Sequence, residues 1–180
     1  GGFDGTEYVL SQRDAKLNIT VLSGDRGTVG SVTDNCYHVV MTANLSSTAI
    51  IDGFTIQDGN ANGGNITNQY AGRNFARQLG GGIASNFSSP TLSNLIIKNN
   101  RAKNGAGVSN RESSSYLINL TFVDNIATEK GGGVANIATG SPSIINCVFS
   151  GNLADDFGGG IYSENSPTIT NCSFFNNKAT

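Results

Sequence analysis

The sequence predicts an all-β chain: a right-handed parallel β-helix of about five regular coils of 25–27 residues, with an irregular N-terminal part. Two observations carry this expectation. First, one unit recurs four times in about the last hundred residues of the chain. It opens with a glycine-rich run ending in Ile or Val (Gly80-Gly81-Gly82-Ile83, Gly105-Ala106-Gly107-Val108, Gly131-Gly132-Gly133-Val134, Gly158-Gly159-Gly160-Ile161). A fixed period of this length is the signature of a unit stacked on copies of itself. Second, apolar residues alternate with polar ones after a recurrent Asn, the period-2 pattern of strands with one buried face.

Aligned on that first Asn (Asn94, Asn119, Asn146, Asn171), the columns are regular. Leu92, Leu117, Ile144 and Ile169 stand two residues before it, and Leu95, Leu120, Cys147 and Cys172 one after. Ile97, Phe122, Phe149 and Phe174 follow at three, a second Asn (Asn100, Asn125, Asn152, Asn177) at six, and Ala102, Ala127, Ala154 and Ala179 at eight. The expected coil has three short strands: the glycine-Ile/Val opening, the segment around Leu92, and residues 95–97. Both Asn columns read as structural ladders, since Asn tolerates left-handed backbone at sharp corners and its amide can bond the next coil. The string Leu92-x-x-Leu95-x-Ile97-x-x-Asn100 also fits a leucine-rich repeat. The return segment, glycine-rich and poor in helix formers, favours the β-helix.

Earlier in the chain the pattern is weaker. Residues 51–56 align with 92–97, Gly59 takes the place of the second Asn, and Ala61 that of the Ala. Residues 19–22 and 37–41 read as further strands. The expected organisation is an irregular β part over 1–48 and regular coils over 49–180. From Ile56 to Ile97 is 41 residues, about 15 more than a coil needs, so a loop is expected to leave the coil within 60–79. It carries Tyr70, Arg73, Phe75 and Arg77. Long loops on rigid scaffolds often carry recognition, so these four are the candidate binding residues. The alternative is a covering loop that packs its own aromatics.

The glycine openings paired with Phe-x-x-Asn closings (Phe122 to Asn125, Phe149 to Asn152, Phe174 to Asn177) resemble the repeats of chlamydial polymorphic outer membrane proteins. Ser166-Pro167-Thr168-Ile169-Thr170-Asn171-Cys172-Ser173-Phe174 resembles units of large bacterial surface and secreted proteins built as β-helices. The resemblance implies an exported protein at the cell surface or outside the cell, with an adhesive or structural role. The chain has no apolar leader and stops where another glycine opening is due, so it is expected to be a segment of a longer polypeptide.

Composition narrows the partners. Charged residues are 13% and the net charge is −2, with no basic block, which disfavours nucleic acid. No apolar stretch is long enough for a membrane-spanning helix. The partner classes that fit are a surface protein or polysaccharide of a host or neighbouring cell, and further β-helix coils of the same chain. Nothing in the sequence calls for a cofactor or a metal.

Many β-helices cleave polysaccharides, which requires carboxylates converging on one face. Asp52, Asp58, Asp124, Asp155 and Asp156 do not align in adjacent coils, so the chain reads as a non-enzymatic spacer and interaction surface. The alternatives are a polysaccharide lyase or hydrolase, or a glycan-binding module. Cys147 and Cys172 share an inward column, which suits stacked thiols and also permits a disulfide. His38 is the only histidine.

Overall fold

The computed structural model describes residues 1–180 and contains one 3₁₀ turn, Leu10–Gln12, among strands. Each coil crosses four parallel sheets. The entry sheet stacks Val40–Ala43, Ile83–Asn86, Val108–Arg111, Val134–Ile137 and Ile161–Ser163. The leucine sheet stacks Ile50–Asp52, Thr91–Ser93, Tyr116–Ile118, Ser143–Ile145 and Thr168–Thr170. The phenylalanine sheet stacks Thr20–Ser23, Phe54–Gln57, Ile96–Lys98, Thr121–Val123, Val148–Ser150 and Ser173–Phe175. The alanine sheet stacks Asn60–Ala61, Arg101–Asn104, Ile126–Lys130, Leu153–Ala154 and Lys178–Ala179. The chain is a parallel β-helix. No helix is long and apolar enough to cross a membrane.

The fourth sheet corrects the expected three strands per coil. The chain stays extended after the second Asn, and Ala61, Ala102, Ala127 and Ala154 are buried in a cluster of their own with Ala106. Its strands are as short as two residues, and one inward Ala per strand leaves no alternation to read.

Register follows the sequence columns. Phe122 pairs with Phe149 and Phe149 with Phe174 in neighbouring strands. Their rings stack with centroids 4.6 and 4.8 Å apart and planes within 6°. This spacing is the strand-to-strand repeat itself, so identical side chains in register lie ring on ring. Ile83, Val108, Val134, Leu92, Leu117 and Ile144 complete the core from the other two sides. Phe122 and Phe149 are fully buried, whereas Phe174, in the last coil, is 48% exposed.

The two Asn columns divide the work that the sequence assigned to both. Asn94, Asn119, Asn146 and Asn171 hold φ of 52–57°, so they supply the left-handed corner between the leucine and phenylalanine sheets. At the second column the left-handed residue is the one before it (Asn99, Asp124, Gly151, Asn176). Asn100, Asn125 and Asn152 are instead buried, and each donates its amide to the Asn of the next coil, ending at Asn177, at 3.1, 2.9 and 2.8 Å. Asn177 donates to the carbonyl of Phe149 at 2.8 Å. A second internal polar ladder had no reading in the sequence. Thr42 donates to Ser85 at 2.9 Å, Asn110 to Asn136 at 3.0 Å and Asn136 to Ser163 at 3.3 Å. These residues vary between Thr, Ser and Asn, which hides the column from a search for identical repeats.

Candidate functional site

The segment between the alanine-sheet strand Asn60–Ala61 and the entry-sheet strand Ile83–Asn86 folds as an antiparallel hairpin, Thr67–Tyr70 with Arg73–Ala76. Asn60 and Ala61 themselves pair with Arg101 and Ala102, so the chain leaves the coil after them. The hairpin turns through Ala71 and Gly72, at φ of 49° and 73°, the two left-handed residues of a tight turn whose twist matches its strands.

The hairpin lies on the coil. Phe75, proposed from the sequence as a binding residue, is 3% exposed and therefore unavailable as a contact. It sits edge-on to Tyr70 with ring centroids 6.1 Å apart and 6.4 Å from His38. Strand alternation explains this: Phe75 takes the face of Arg73–Ala76 that meets the entry sheet, beside Ala84 and Ser109. Arg77 donates to Asn68 Oδ1 at 2.9 Å and lies 5.1 Å from the Tyr37 ring centroid. Arg73 stacks 3.8 Å from the Phe87 ring centroid and donates Nε–H to Asn44 Oδ1 at 2.6 Å. Asn44 in turn donates to the Ala71 carbonyl at 2.8 Å. Tyr70 is 47% exposed.

Tyr70 and Arg73 thus share the coil-facing side of the hairpin with Phe75, where Tyr70 stays half-exposed beside the Arg73–Phe87 stack; Thr67, Gln69 and Asn74 form the outward side. Phe87 and Asn44 were not singled out in the sequence. Both occupy left-handed corners at the end of the entry sheet, with φ of 49° and 56°. A bulky aromatic in that region is uncommon, and the corner is what turns the Phe87 ring to meet Arg73.

His38 Nδ1 lies 3.0 Å from the Gly80 carbonyl. Burial pushes its pKa down, reinforced by the Arg77 charge and opposed by hydrogen bonds to Gly80 and Leu79. Asp52 accepts hydrogen bonds from Ser93 and Asn94 and pairs with Arg13. Burial opposes its charge, but Ser93, Arg13 and Asn94 overcome this and hold the carboxyl below the usual carboxylate range. On another face Lys130 meets Tyr162 OH at 3.1 Å and Glu164 at 3.9 Å. No three His, Cys, Asp or Glu side chains group closely enough to hold a metal ion. Cys147 is buried and Cys172 half-buried, both as free thiols.

Residues 146–164 match the family model of the Chlamydia polymorphic membrane protein (Chlamydia_PMP) repeat. The matched stretch starts at the left-handed corner Asn146 and runs through Val148–Ser150, Leu153–Ala154 and the glycine opening into Ile161–Ser163. It therefore covers parts of one coil on three of its four sheets. No curated protein and no solved structure matches the chain.

Proposed function

We propose that the chain is a non-enzymatic segment of an exported cell-surface protein, a stiff spacer that carries an adhesive surface on its docked hairpin. The observation that carries this reading is the register of stacked coils, interrupted only by a bulge in the alanine sheet between Ala102 and Asn104, with the hairpin fastened to their side. A solenoid in which every coil bonds its neighbours on four sides resists bending as a unit. The repeat matched at 146–164 takes its name from a membrane protein family, which supports a place at the cell surface.

Tyr70 and the Arg73–Phe87 stack supply the residue types that anchor protein interfaces. They are held in place by Asn44 and the coil, so little side-chain freedom is lost on contact. This favours a protein on a host or neighbouring cell as the partner. Further coils of the same chain are the second partner. Phe174 and Ile169 are half-exposed at positions where Phe149 and Ile144 are fully buried, and one more coil would cover them.

The test uses beads coated with the protein. Attachment to cultured host-type and bacterial cells is measured for the wild type and for Tyr70→Ala with Arg73→Ala. Loss of attachment in the double variant supports the reading; unchanged attachment removes the hairpin from it. Incubation with acidic and neutral polysaccharides is scored for chain cleavage in parallel. Cleavage would overturn the non-enzymatic assignment.

A further inference from the structure

Away from the hairpin, the N-terminal arm folds back along the corner between the leucine and phenylalanine sheets. Asp14 N–H donates to the Gly2 carbonyl at 2.8 Å, and Arg13 pairs with Asp52. The Asp14 carboxylate accepts from the backbone N–H groups of Lys16 and Leu17 at 2.8 and 3.0 Å, which holds the arm in a turn. Between arm and coils lies a groove of about 680 Å³.

One wall is the arm, residues 13–16. The floor crosses three successive coils: Phe54 and Thr55, then Asn94 and Ile96, then Asn119 and Thr121. The groove therefore runs along the coil axis, rising about 4.8 Å per coil, and suits an elongated ligand. Its floor alternates polar and carbon-rich surface. The amides of Asn94 and Asn119 form an external ladder: Asn119 donates to Asn94 at 3.2 Å and Asn94 to Asp52 at 3.0 Å. Ionised Asp52 fixes the direction of that ladder. Thr121 adds a hydroxyl that both donates and accepts, whereas Thr55, only 5% exposed, is buried in the floor.

Side-chain charge cancels across this site. Arg13 and Lys16 are balanced by Asp52 and Asp14, two against two. No net field draws a polyanion or a polycation. A ligand that fits must be elongated, uncharged, rich in groups that donate and accept, and able to lay C–H surface on Ile96, the outward apolar side chain of the floor.

We propose that this groove binds a neutral oligosaccharide lying along the coil axis. It is separate from the hairpin surface and does not depend on it.

Two variants test the site. Asn119→Gly removes the amide while keeping a residue at ease with φ of 57°. Thr121→Tyr fills the groove from an outward strand position that accepts aromatics. Binding of cellohexaose, maltohexaose and chitohexaose is measured by titration calorimetry, with oligogalacturonate as the acidic comparison and circular dichroism as the check on folding. The expected result is binding of at least one neutral hexasaccharide, weakened tenfold or more by either variant and unchanged by Tyr70→Ala with Arg73→Ala. The proposal is overturned if no neutral hexasaccharide binds, if oligogalacturonate is preferred, or if binding survives in whichever variant is folded. Loss of binding in the hairpin variant alone would place the glycan on the hairpin instead and would also overturn it.

Discussion

Asn125 Nδ2 donates to Asn152 Oδ1 at 2.9 Å and to the Ile97 carbonyl at 2.9 Å, so one amide ties three consecutive coils together. Its own Oδ1 accepts from the backbone N–H and the side-chain amide of Asn100, both at 3.1 Å. Asn125→Ala leaves the Asn100 N–H and the Ile97 carbonyl buried without these partners. Each orphaned group costs about 1–3 kcal/mol. Urea denaturation should show a loss of about 3 kcal/mol. A loss below about 1 kcal/mol would mean that water replaces the ladder.

The glycine openings are fixed by coil-to-coil approach. A Cβ on Gly133 would lie 2.5 Å from the Gly160 carbonyl oxygen and 2.9 Å from Phe149 Cδ1. Backbone and a stacked ring cannot yield cheaply, so Gly133→Ala should destabilise by about 1–3 kcal/mol. Gly160→Ala meets only Phe174 Cδ1, at 3.2 Å, and Asn177 and Phe174 beyond it at 3.5 Å. Its melting temperature should fall less than that of Gly133→Ala; the reverse order would contradict the stacking explanation.

His38 makes stability depend on pH near neutrality. Its folded pKa lies below the ordinary 6.5, so the unfolded chain binds the proton more readily. Stability is therefore full above about pH 6.5 and falls as the pH drops below it. His38→Gln should flatten the melting-temperature profile between pH 7 and 5. Asp52 acts in a different window. Its folded pKa is depressed, so its contribution is present above the usual carboxylate value and is lost only in stronger acid.

Cys147 should be inert while the protein is folded. Burial pushes its pKa up to about 11, assisted by Cys172 and opposed by hydrogen bonding to Leu120 and Ile145. The thiolate is the reactive form, so iodoacetamide at pH 8 should modify Cys147 only after unfolding. Peptide mass spectrometry before and after urea reads this directly. Rapid native modification would mean that the last coils open on the reaction timescale.

Local repetition made the stacking legible. The register of Phe122, Phe149 and Phe174, the inward Leu92, Leu117 and Ile144, and the second Asn ladder all follow from columns in the sequence. Each is a contact between identical positions of consecutive units, and the period alone brings such positions together. The fourth sheet was missed because strands as short as Leu153–Ala154 carry one inward residue. The Thr42, Ser85, Asn110, Asn136 ladder was missed because three residue types serve one geometric role.

A parallel β solenoid, its period and the stretch where a loop leaves the coil are all written in the repeat columns. Which hairpin residues stay accessible depends on docking, which buries Phe75 against the coil, locks Arg73 onto Phe87 and leaves Tyr70 half-exposed. It alone also joins Arg13 to Asp52 and so creates the groove beneath the N-terminal arm. The physical reason is the same in both places. Periodic contacts are encoded at every coil, whereas an arm and a hairpin each dock once, through partners that no repeat predicts.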